Sequence, residues 1–205
     1  MEHVANTEKT KLNTQELFEK YCIKRTHSKE VQRVSILIFE EVNRKIKELS
    51  PELEEILNSA TLLHDIGYSK SDGKDHNKYS AQIVKEEGLS DFSEEQTEII
   101  SLICLYHRGK LPDKHEDFEY GKLDKKERKI VKRLCGILKI ADSFSDTDIL
   151  NIKDIKIEYN KENKSAEIYL ILYKSDKSID ILKVIKKKEL FEIGFKTQII
   201  FKIWK

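Results

Sequence analysis

The chain has 205 residues, 37% of them charged and 39% hydrophobic, with 38 basic against 37 acidic side chains. That length suits one ordinary domain with a small appendage, and the near-cancelling charge gives no general attraction to nucleic acid or an anionic membrane. No apolar run approaches the roughly 18 to 20 residues of a membrane span, and the opening MEHVANTEKTKLN has no secretory apolar core. Transmembrane, collagen and coiled-coil-array classes are thereby excluded.

Seven glycines and two prolines punctuate the chain, a scarcity that favours long helices. Residues 1–12 are polar and without period, and read as a flexible leader. A short helix fits 14–24. The next opens near Thr26 as N-cap and carries Val31, Val34, Ile38, Val42 and Ile46 on one stripe to about Leu49. Ser50 before Pro51 opens a helix through Leu53, Ile56, Leu57, Ala60 and Leu63. A helix fits 77–87, closed by Gly88. Ser93 with Gln96, and Asp124 with Glu127, are capping-box signatures for two more, ahead of Ile99, Ile100 and Ile103 and of Ile130, Leu134, Leu138 and Ala141. Residues 109–123 read as the longest loop of the first 150.

Beyond residue 150 the period changes. Ile155, Ile157 and Tyr159 alternate with polar neighbours, NKENKS makes a turn, and Ile168, Leu170 and Leu172 alternate again. A helix with a less regular stripe fits 179–192, and Thr197–Trp204 reads as a strand. The expected fold is mainly α, with a helical core over 13–150 and a small β-β-α-β subdomain over 151–205. The tail carries 13 lysines against 8 acids, a mild excess that a solvated face explains as well as a partner does. Cys22, Cys104 and Cys135 are far apart, odd in number and set in apolar stretches without CxxC spacing, so they read as small buried hydrophobes in a reducing, cytoplasmic setting.

The histidines carry the chemistry. His64 and Asp65 follow the apolar end of a helix, and Gly67 after them allows the chain to turn. His27 shares the stripe of Val31, Val34 and Ile38, and His107 continues the face of Ile100 and Ile103. Asp142 stands four after Leu138, on the buried side of the last long helix. An unpaired carboxylate there costs several kcal/mol, so something positive must neutralise it. Any one inward histidine is more often a satisfied core group, and His3 and His115 read as solvated. Several helices each aiming a His or Asp inward share one common target, a divalent metal.

The order His27, His64–Asp65, Asp142 resembles the signature of the HD superfamily of metal-dependent phosphohydrolases. The phrases LLHDIG (62–67), HNKYSAQIV (76–84), ISLICLYHRGK (100–110) and LCGILKIADSFSDT (134–147), with the trailing β-β-α-β segment, are similar to the C-terminal region of exopolyphosphatase and guanosine pentaphosphate phosphatase proteins. The resemblance implies an HD-domain helical bundle in which His27, His64, Asp65 and Asp142 ligate one divalent ion. His76 and His107 correspond to second-ion ligands of two-metal members, with Asp65 as bridge. Tyr106 precedes His107 where a double histidine would complete that pattern, and no GYP phrase occurs.

In the related proteins catalysis is ascribed to an actin-like pair of domains that this chain is too short to hold, so hydrolysis is expected from the HD centre itself. The expected substrate is a small phosphate ester or phosphoanhydride, a nucleotide first of all, with Asp65 or Asp142 taking a proton from water. Arg108, Lys139 and Lys78 are candidate phosphate contacts, with Lys70 and Lys74 behind them. Imidazole and carboxylate donors suit Mn²⁺, Fe²⁺, Co²⁺, Ni²⁺ or Zn²⁺, with Mg²⁺ joining through substrate phosphates, as one or two ions. The alternative is a non-catalytic regulatory or nucleotide-binding module, with a homodimer among its implied contacts.

Overall fold

Reciprocal capping boxes set the start of three helices. In the computed structural model, which describes residues 10–71, 73–174 and 179–204, Asn13, Ser93 and Asp124 each accept a hydrogen bond from the third helical N–H, and Glu16, Gln96 and Glu127 reach back. These boxes open α1 (Thr14–Tyr21), α5 (Glu94–Tyr106) and α7 (Lys125–Ala141). Pro51 opens α3 (Pro51–Leu63), and Gly88, at φ 67°, closes α4 (His76–Glu87).

Thr26 is not an N-cap. Helix α2 (Arg25–Lys45) already includes it and starts after Lys24, which makes no side-chain cap hydrogen bond. Its expected stripe of Val31, Val34, Ile38 and Val42 is fully buried. The stretch 109–123 is not all loop, because Asp117 caps the one-turn α6 (Phe118–Lys122).

The tail begins with a short helix that periodicity does not announce, α8 (Asp146–Asn151), capped by Ser145. Strands β1 (Ile152–Asn160) and β2 (Ser165–Leu172) form an antiparallel hairpin closed at Asn160 and Ser165, and β3 (Gln198–Ile203) joins β2 in parallel, giving a three-stranded mixed sheet. The helix expected over 179–192 is two pieces, α9 (Ile181–Ile185) and α10 (Glu189–Phe195). Lys187 N–H bonds back to the Val184 carbonyl and ends the first; Leu190 and Phe191 bury the second.

Helix α10 lies directly on α7. A Cβ on Gly136 would come within 2.7 Å of the Phe191 Cα, so only glycine permits this approach. The inner face of the sheet (Ile155, Ile157, Ile168, Leu170, Ile199, Phe201) joins the helical interior in one continuous apolar cluster. Glu41 of α2 is buried beneath it, accepting the Ile157 N–H at 2.7 Å and pairing with Arg44. Cys22, Cys104 and Cys135 are free and buried. Among the described residues no helix is long and apolar enough to cross a membrane.

Candidate metal centre

Helix ends build the centre. His64 follows α3, His107 follows α5 and Asp142 follows α7, each as the C-cap residue. His76 is the first residue of α4, and His27 lies in the first turn of α2. Three helices thus turn their C-terminal carbonyl ends toward one point, where the partial negative charge of their dipoles favours a cation.

The last-turn carbonyls also fix the rings. His64 Nδ1 donates to the Thr61 carbonyl at 2.6 Å and His107 Nδ1 to the Cys104 carbonyl at 2.6 Å, each three residues back. These carbonyls have no helical partner of their own. His76 Nδ1 donates to the Gly73 carbonyl at 2.9 Å. With Nδ1 carrying the proton, each ring presents an Nε2 lone pair to the centre. His27 is held from outside, its Nδ1 2.9 Å from Asp146 Oδ1.

Those lone pairs converge on two carboxylates. Asp65 Oδ1 is 3.2 Å from His76 Nε2, 3.6 Å from His107 Nε2 and 3.6 Å from His64 Nε2, while its Oδ2 is 3.9 Å from His27 Nε2. Asp142 Oδ1 is 3.2 Å from His27 Nε2 and 3.5 Å from His64 Nε2. Metal bonds of about 2.0–2.2 Å place the donors of one ion roughly 3 to 4 Å apart, which is the spacing seen. Among the described residues two groups have donor atoms all within 4.8 Å of one another, His27–His64–Asp65 and Asp65–His76–His107, and Asp65 belongs to both.

The centre's own polar balance tests whether a cation fits. His64 Nε2 is buried without a hydrogen-bond partner among the described residues, a loss of about 1–3 kcal/mol if nothing engages it. A metal ion supplies what it lacks, and the residues fit one. In the metal-free chain protons serve instead. Burial alone would lower the His64 pKa, yet the Asp65 and Asp142 carboxylates raise it to about 9. His107, buried and facing the His64 charge, falls to about 4. Burial would raise both carboxylates, but the imidazoles hold Asp65 and Asp142 well below the usual range.

His64, Asp65, His76 and His107 are buried, whereas His27 is half-buried and Asp142 is partly open to solvent at the cleft. Asp142 is thus a rim carboxylate instead of the buried one its helical phase implies, because α7 ends at Ala141. Gly67 does lie where the chain turns, in the single 3₁₀ turn Ile66–Ser69, but its φ is not positive; glycine serves close approach there, since a Cβ would lie 2.0 Å from the His76 carbonyl oxygen.

A cleft of about 340 Å³ opens onto the centre, bordered by Lys24, Tyr68, Arg108, Ser143 and three lysines of the tail. Arg108 also lines an adjoining cleft of about 600 Å³ with Lys74, Asn77, Lys78 and Lys110. Lys78 is exposed and paired with Asp75 at 3.0 Å, and Lys70 faces Glu86 at 3.7 Å. Lys139 is not brought to either cleft; it is buried with its ammonium donating to the Tyr106 carbonyl at 3.0 Å. His115 is exposed, and His3 lies outside the described residues.

Sequence reasoning missed Asp146, Tyr68 and Lys24. Tyr68 stacks on His76 at 4.2 Å, with the Lys24 ammonium 3.4 Å above its ring and 3.7 Å from Asp65 Oδ2. Asp146 stands four residues after Asp142 and Tyr68 three after Asp65, spacings that could have flagged both.

A search among curated proteins finds no match. Residues 11–178 match the family model described as Ppx/GppA phosphatase, domain III. That span holds every histidine and carboxylate of the centre and covers most of the chain. With the helical architecture and the HD-type order of the centre, the chain belongs to the Ppx/GppA phosphatase domain III family, the HD-like C-terminal region of exopolyphosphatase.

Proposed function

We propose that the chain is a metal-dependent phosphohydrolase acting on a phosphate ester or phosphoanhydride, with a nucleotide as the substrate class to examine first. The observation carrying this reading is the shared position of Asp65 between two histidine groups, at the floor of a cleft edged by cations. His27, His64, Asp65 and Asp142 would hold one divalent ion, and Asp65, His76 and His107 a second. Such ions polarise a phosphoryl oxygen and lower the pKa of water toward about 7. The imidazole and carboxylate donors suit Mn²⁺, Fe²⁺, Co²⁺, Ni²⁺ or Zn²⁺.

The chain's own groups do the rest. Thr61, Gly73 and Cys104 carbonyls keep the imidazoles in one tautomer, and Asp146 orients His27. Asp142, the carboxylate that reaches the cleft, accepts a hydrogen bond from the attacking water. Arg108 binds a phosphoryl oxygen, and because it borders both clefts the remainder of the substrate extends into the neighbouring cavity.

Elemental analysis of the purified protein, followed by hydrolysis of an aryl phosphate and a nucleotide panel with each metal, tests the reading. Bound metal and turnover are expected, both lost in Asp65→Ala. Stoichiometric metal without turnover on any substrate would replace the enzyme with a ligand-binding module.

A further inference from the structure

The cleft is not walled by the family-matched region alone. The match ends at residue 178, yet Lys183, Lys186 and Lys187, on and just after α9, border the same cleft as His27, Asp65, His76 and Asp142. Val184, fully buried between them, anchors this short helix to the body. Among the described residues none of the three lysines, nor Arg108, has a carboxylate within 4 Å, whereas Lys24 is already committed to Asp65. Among the described residues the cleft therefore keeps four cations without a carboxylate partner.

Charge counting gives them a purpose. The two negative charges of Asp65 and Asp142 offset only one of the two divalent ions, so the second ion and the rim cations remain surplus. One phosphomonoester brings only about −1.5 to −2 at neutral pH, less than the rim offers. We infer that Lys183, Lys186 and Lys187 are specificity-determining residues that bind a second phosphoryl group, adjacent to the one held at the histidine centre. This deepens the phosphohydrolase reading and rests on it for which phosphoryl reacts. Arg108, just beyond the end of α5, and the three lysines on and after α9 line the same cleft from separate elements, so they grip different phosphoryl groups of one substrate.

The test uses non-hydrolysable probes and needs no turnover. Methylenediphosphonate and methylphosphonate are titrated by calorimetry into the full-length, metal-loaded protein and into the triple variant Lys183→Gln, Lys186→Gln, Lys187→Gln. The three side chains are exposed or half-buried, so the variant is expected to fold, and its metal content is measured as a check. The parent protein should prefer the diphosphonate by at least about tenfold, as expected when charge-assisted hydrogen bonds are added, and the triple variant should lose that preference. Triple replacement by arginine should restore it. Equal affinity of the parent for both probes, or a preference kept by the glutamine variant, overturns the inference. A preserved preference in the parent with no hydrolysis of any substrate would count against the phosphohydrolase reading and leave the lysine assignment standing.

Discussion

His76 Nε2 and His107 Nε2 lie 3.2 Å apart, while the Nδ1 of each ring is 2.9 and 2.6 Å from a backbone carbonyl. If both Nδ1 atoms carry the proton, two lone pairs face each other in a buried space, and only a cation or an added proton between them relieves the repulsion. Asp65 Oδ1 closes that triangle. His107→Ala should therefore remove one ion while leaving the group of His27, His64, Asp65 and Asp142 able to keep another. Metal per chain, measured after equilibrium dialysis, should fall from two to one.

Asp65 is shared, so its loss should be felt by both ions. Asp65→Asn preserves shape but removes the charge and one metal-binding oxygen. Even an outer-shell change typically costs 10–100-fold in metal affinity, and a bridging ligand should cost more than about 100-fold. Isothermal titration with Mn²⁺ or Zn²⁺ should show both binding steps weakened, unlike the single step lost in His107→Ala.

Much of this centre was legible because its residues sit at helix ends that local chemistry marks. Capping boxes at Ser93 and Asp124 place α5 and α7, and the apolar phase of Ile100 and Ile103 and of Leu134 and Leu138 carries on to His107 and Asp142 at their ends. The single helix expected over 179–192 divides because α9 and α10 share no stripe; each is fixed by its own anchor, Val184 against Leu190 and Phe191. The parallel pairing of β3 with β2 is likewise a long-range outcome that no local pattern encodes. Lys139 is withheld from the clefts by its helical phase: it stands four after Cys135, and both are buried.

Gly67 offers a test of how the fold positions the centre. A Cβ there would meet the His76 carbonyl oxygen at 2.0 Å and the Ser80 nitrogen at 2.5 Å, both backbone atoms that cannot swing aside. Gly67→Ala must push α4 away, and overpacking of this kind costs about 1–3 kcal/mol or more. Denaturant titration should show that loss. Since His76 opens α4, metal per chain should drop in the fraction that remains folded.

Lys139 should behave as a buried cation, separate from the clefts. Burial lowers its pKa below 10.5, so the unfolded chain holds the proton more tightly than the folded one. Stability then rises with pH between the lowered value and 10.5. Lys139→Met should remove that rise and leave stability neutral or higher by about 1 kcal/mol near pH 7, as for other buried charges replaced by apolar residues. Unfolding curves across alkaline pH read this directly, and a raised KM in the variant would instead return Lys139 to the substrate.

The metal-free protein should have a second pH dependence of opposite sign. His64, with its pKa raised from 6.5 to about 9 by Asp65 and Asp142 against the effect of burial, is protonated more readily when folded. Its contribution is complete below 6.5 and disappears as pH rises through 9. A metal ion needs the neutral imidazole and so displaces that proton. Chelator-treated protein should lose thermal stability from pH 6.5 to 9, while metal-loaded protein should not, and metal binding near pH 7.5 should release a proton detectable as a buffer-dependent heat. Identical pH profiles with and without metal would mean that no ion engages His64 Nε2, and the centre would then be a hydrogen-bonded polar core.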